Sequence, residues 1–90
     1  MADRTAMPDP LAALGAHLGA NGFRVELTAR GLRVTNPRTR ASETIICRSR
    51  AEDAGTRWFF TSSNEPVAPA DRIVEAKVFL LGYLAEGDVR

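Results

Sequence analysis

Apolar and polar residues alternate one for one from Phe23 to Thr35. Phe23, Val25 and Leu27 take turns with Arg24, Glu26 and Thr28, and after Ala29-Arg30-Gly31 the beat resumes with Leu32 and Val34 against Arg33 and Thr35. A period of two marks half-buried strands, and the tight turn between the two runs makes them a hairpin. Asn36-Pro37 closes it, and residues 38–42 form a polar, basic loop. A third strand is expected over residues 43–49, centred on Ile45, Ile46 and Cys47. A fourth covers residues 56–62, where Trp58-Phe59-Phe60 holds the only tryptophan and two of the four phenylalanines. The charged stretch 50–55 joins these two as a second hairpin.

On either side of the strands the spacing turns helical. Leu11, Leu14 and Leu18 recur three and four apart, Asp9 stands as N-cap before Pro10, and Asn21-Gly22 supplies a left-handed stop, so a helix is expected over 10–20. Gly15 and Gly19 each cost this helix roughly 1 kcal/mol relative to alanine; it therefore depends on docking, and the glycines are suited to a close approach to the sheet. Residues 63–68 read as a turn region. A second helix is expected to begin at Pro69, with Asp71 in its first turn, and to end at Gly87. Its Ile73, Val74, Val78, Leu80, Leu81, Leu84 and Ala85 fall on one broad arc.

The expected architecture is α+β: a four-stranded antiparallel meander sheet with an N-terminal and a C-terminal helix on one face, in the order α-β-β-β-β-α. Residues 1–8 are expected as a flexible tail, 9–86 as a single domain and 87–90 as a short tail.

If the helices cover one sheet face, alternation turns Phe23, Val25, Leu27, Leu32, Val34, Ile45, Cys47, Trp58 and Phe60 toward them. The opposite face then carries Arg24, Glu26, Arg33, Ile46, Arg48, Arg57 and Phe59. Arginines around two apolar residues make either a partner surface or a solvated face with stray apolar side chains. On the second helix, Arg72, Glu75, Phe79, Gly82 and Glu86 form the stripe opposite the apolar arc. Phe79 is thereby a candidate for contact with another helix, unless the first helix covers it.

Ninety residues form one domain with a modest core, and 44% hydrophobic with 26% charged residues is the composition of an ordinary soluble globular chain. The net charge of +1 hides a segregation. Eight arginines and four acids lie between Arg24 and Arg57, while the flanking segments are net acidic. The N-terminus lacks the apolar stretch of a secretory signal and no run reaches the length of a membrane span, so a cytoplasmic location without membrane attachment is expected.

Candidate chemistry is sparse. The single Cys47 has no disulfide partner, alternates inward with Ile45, and reads as a small buried hydrophobe. The single His17 lies on the flank of the first helix, where a solvated side chain is expected. The one lysine, Lys77, falls inside the apolar arc and reads as a snorkelling side chain. Metal-ligand spacings and glycine-rich phosphate loops do not occur, so no cofactor or metal is expected, and catalysis is the least supported class.

The runs Gly31-Leu32-Arg33-Val34-Thr35-Asn36-Pro37, Thr44-Ile45-Ile46-Cys47-Arg48 and Trp58-Phe59-Phe60-Thr61-Ser62, continuing through Ala70-Asp71-Arg72-Ile73-Val74 to Leu81-Gly82-Tyr83-Leu84, resemble short actinomycete-type proteins of unknown function. The resemblance implies an accessory or interaction role beside regulatory genes and carries over no functional residue.

These readings converge on a non-catalytic protein-interaction module that binds another protein or itself. The candidate contact residues are Phe59, Ile46, Arg24, Arg33, Arg48, Arg57 and Phe79. The alternative is weak nucleic-acid binding through the arginine-rich face and the Arg38/Arg40 loop. A small-molecule pocket between helices and sheet, lined by Trp58 and Phe60, is a third reading.

Overall fold

The computed structural model describes residues 9–85 of the chain, so the expectations for the tails, for Glu86 and for a stop at Gly87 lie outside the described residues. The elements are α1 (Pro10–Ala20), β1 (Arg24–Thr28), β2 (Gly31–Thr35), β3 (Ser42–Arg50), β4 (Thr56–Phe60), β5 (Pro66–Pro69) and α2 (Ile73–Tyr83). The strands form one antiparallel meander in the order β1-β2-β3-β4-β5. The α+β class and the two terminal helices are as expected; the sheet has five strands rather than four.

The added strand lies where a turn was expected. Pro66 and Pro69 argue against strand in a sheet interior, because each lacks the N–H that a ladder needs. β5 is an edge strand, where that loss is tolerated. Pro69 pairs with Trp58, Ala68 with Phe59 and Pro66 with Phe60, with a register shift at Phe59/Phe60. The second helix accordingly begins at Ile73 rather than Pro69, and Asp71 stands in the turn before it.

α1 keeps its sequence-read bounds. Asp9 Oδ1 accepts from Leu11 N at 3.1 Å, Pro10 opens the first turn, and Gly22 follows the Asn21 cap at φ +94°. A Cβ on Gly15 would stand 3.1 Å from Leu32 Cδ1, so this glycine lets α1 settle close to β2.

β3 carries the sheet. Its residues 42–45 pair with β2 and its residues 46–50 with β4, so one nine-residue strand joins two staggered hairpins. At the β2 end of that junction, Gly31 has φ +146°, and a Cβ there would collide with the Ile45 carbonyl. Only glycine suits both conditions.

Both helices lie on the same sheet face. Leu14 and Leu18 of α1 and Ala76, Leu80 and Leu84 from the α2 segment share one buried cluster with Leu32, Val34, Ile45, Phe59 and Ala68. Among the described residues no helix is long and apolar enough to cross a membrane.

Candidate interaction surfaces

The β3–β4 ladder decides which side of the sheet each aromatic residue takes. Cys47 pairs with Phe59, Arg48 with Trp58 and Ile46 with Phe60. Residues paired across an antiparallel ladder share a face, so Phe59 joins Cys47 and Ile45 under the helices and is 0% exposed. Trp58 and Phe60 stand on the open side. The sequence-based assignment of this strand is therefore inverted by one residue: Phe59 is core and offers no contact surface, and a pocket between helices and sheet lined by Trp58 and Phe60 has no basis.

On the open side the arginines and aromatics interlock. The Arg48 guanidinium lies 3.9 Å from the Phe60 ring centroid and that of Arg50 lies 4.3 Å from the Trp58 ring. Each arginine of β3 thus reaches diagonally to the aromatic beyond its direct partner. Trp58 Nε1 donates to Asp53 Oδ2 at 2.8 Å, Arg50 pairs with Glu52 at 3.7 Å, and Arg48 Nη2 donates to Asn64 Oδ1 at 3.1 Å. Phe60 is nearly covered, although it faces away from both helices. Ile46, its cross-strand partner, is half-buried.

Arg24 and Arg33 occupy the β1–β2 half of this face, on either side of Glu26, which stands directly across from Arg33. Both are exposed. Among the described residues, the ion pairs are Arg50–Glu52 and Arg72–Glu75, so Arg24, Arg33 and Arg48 have no carboxylate partner within 4.0 Å. Arg57 does not join them. It pairs with Ser49 and so lies on the helix side, beside Cys47. Burial pushes the Cys47 thiol above its ordinary pKa, and the Arg57 charge and hydrogen bond pull the other way.

α2 differs most from its sequence reading. Ala76, Leu80 and Leu84 are buried and Ile73 packs against the same core, whereas Val74, Val78 and Leu81, expected inward, are 59%, 59% and 48% exposed. The exposed three lie roughly a third of a turn round the helix from the core line. Phe79, expected outward, packs on the core and stacks on Tyr83 with ring centroids 5.3 Å apart. The helix exit sets this rotation: the Leu84 carbonyl accepts from Asn36 Nδ2 at 3.0 Å and Thr39 Oγ1 at 2.8 Å, tying α2 to the β2–β3 turn. A second tie is Glu43. It accepts from Tyr83 Oη at 3.2 Å and from Ser62 N and Oγ at 2.8 and 2.5 Å. Partial burial, and then Glu43, push the Tyr83 phenol upward.

The structure thus offers three exposed features: the arginine-rich sheet face, the Val74/Val78/Leu81 stripe, and the free edge of β1, where Leu27 is 52% exposed. The stripe and the edge were not legible as such, because apolar residues extend well beyond one face of α2 and alternation assigned Leu27 to the core. His17, expected to be solvated, has a buried Nε2 without a hydrogen-bond partner. No cluster of three or more metal-ligating side chains occurs among the described residues. Comparison with protein-family models, with curated proteins and with solved structures gives no match.

Proposed function

We propose that the chain is a non-catalytic interaction module that associates with a second copy of itself or with another protein through apolar surface. The observation that carries this is the Val74, Val78 and Leu81 stripe, three large aliphatic side chains about half exposed on one line of α2. Their spacing of four and then three residues is that of a helix-packing seam. Gly82 adjoins it with open space around its Cβ position, so a second helix can approach closely. A small domain that leaves such a line to water gains free energy by covering it.

Light scattering over a range of concentrations, at low and high salt, tests this reading with the wild-type chain and Val78→Glu. Association that persists in high salt and is weakened in Val78→Glu supports it. Association indifferent to that substitution removes α2 as the contact.

A second reading, nucleic-acid binding, rests on Arg24, Arg33 and Arg48 standing on one face without carboxylate partners among the described residues. The stacking geometry weighs against it. Base-binding sheets present open aromatic faces, whereas here Arg48 lies over Phe60 and Arg50 over Trp58. Binding to a single-stranded oligonucleotide that falls steeply with added salt would favour this reading over the first.

A further inference from the structure

The two edges of the sheet are built differently. β5 has proline at two of its four positions, which removes N–H donors and makes it a poor template for another strand. β1 has no proline and, among the described residues, no covering strand, and its residues 24–28 run as Arg-Val-Glu-Leu-Thr with only Val25 half-buried. Alternate backbone N–H and C=O groups of an edge strand point away from its single neighbour, and among the described residues β2 is the one strand that pairs with β1. Beside this edge lies a groove of about 250 Å³ lined by Ala12, Gly15 and Ala16 of α1 and by Val25, Leu27 and Leu32. Small residues on the helix leave room there for incoming apolar side chains.

We infer that β1 pairs antiparallel with β1 of a second copy, joining two five-stranded sheets into one continuous sheet. This takes from the proposed function only that the chain associates with itself, and it uses a surface separate from α2. Charge selects the register. A two-fold axis through position 24 would oppose two arginines, and one through position 26 would oppose two glutamates. Centring on position 27 aligns Arg24 with Arg30 across the axis. Centring on Val25 brings Arg24 opposite Glu26 twice, both on the open face. The same register sets Val25 against its own counterpart and Phe23 against Leu27 on the helix side, where the groove receives them. The pairing is short, which places the complex among small, reversible interfaces.

The test is charge reversal with rescue, read by light scattering in the Val78→Glu background so that any α2 contact is already removed. Arg24→Glu and Glu26→Arg singly convert two attractive cross-strand contacts into two repulsive ones and weaken the dimer roughly tenfold. The double variant Arg24→Glu/Glu26→Arg restores it. Both substitutions sit at exposed positions, and unchanged circular dichroism and melting confirm the fold. Independently, Val25→Cys combined with Cys47→Ser forms a disulfide-linked dimer on mild oxidation, because directly opposed residues at the axis lie within disulfide reach. A Val78→Glu chain that is monomeric at every concentration overturns the inference. So do single reversals that match the double variant, or failure of the cysteine variant to cross-link. Loss of all association on Val78→Glu alone would leave the α2 reading standing while this one fails.

Discussion

Phe59 stands directly across the ladder from Cys47, and this one pairing assigns every aromatic of β4 to its side of the sheet. Phe59 is the largest fully buried side chain of the domain and touches a cluster supplied by both helices and the sheet. Phe59→Ala is therefore expected to cost about 3–5 kcal/mol through lost burial and the cavity left behind. Trp58→Ala, on the half-buried outer side, should cost less. Urea denaturation of the two variants checks the order, and a more damaging Trp58→Ala would contradict the register.

The carbonyl of Leu84 receives two side-chain donors, Asn36 Nδ2 and Thr39 Oγ1, where α2 ends. Asn36 also accepts from Arg38 N through its Oδ1 at 2.9 Å, so it holds the β2–β3 turn and the helix end together. Asn36→Ala should lower stability by about 1–2 kcal/mol and Thr39→Val by about 1 kcal/mol. The double variant should fall short of additivity because both donors serve one acceptor. Thermal or urea unfolding of the two single variants and the double variant measures this.

α2 provides a comparison within one helix. Leu80→Ala, at a fully buried position, should cost about 2–5 kcal/mol. Val78→Ser, at an exposed one, should change the stability of the monomer by no more than about 0.5 kcal/mol. Denaturant midpoints at a concentration too low for association provide the measurement; a large loss from Val78→Ser would mean that the stripe is covered within the monomer.

Cys47 should react slowly with iodoacetamide at neutral pH, since burial raises its pKa and leaves little thiolate. Arg57 opposes that shift, so Arg57→Ala should move the alkylation profile to still higher pH. The sign for stability follows. A thiol whose pKa is raised on folding keeps its proton in the native state after the unfolded chain has lost it. Its contribution is complete below the unfolded pKa and declines as pH rises toward the folded one. Unfolding measured between pH 7 and 10 should show that decline, and Cys47→Ser should flatten it. A profile that moves to lower pH in Arg57→Ala would reverse the assigned role of the guanidinium.

Where one face of an element is apolar and the other polar, the chain specified the structure locally. Asp9-Pro10 and Asn21-Gly22 bound α1 through capping chemistry within a few residues, and the strict alternation around Ala29-Arg30 defined the first hairpin and its inward residues. The open-face positions of Arg24 and Arg33 followed from the same alternation. Leu27 departs from it because it sits on the edge strand, with no neighbour on one side to complete its burial.

Tertiary structure decided the elements whose own pattern was degenerate. Trp58-Phe59-Phe60 is apolar at three successive positions, so alternation alone permits either face, and the pairing of Phe59 with Cys47 and Ala68 makes the choice. In the segment 73–84 apolar residues extend well beyond one face, so the pattern leaves the rotation open, and the Leu84 ties to Asn36 and Thr39, residues 48 and 45 positions away in the chain, hold the one adopted. Pro66 and Pro69 could become strand because β5 lies at the sheet edge, where a missing N–H is tolerated. Short-range chemistry fixes caps, turns and two-sided strands because their free energy lies within a few neighbouring residues. A residue flanked by apolar neighbours takes its side only from contacts distant in sequence.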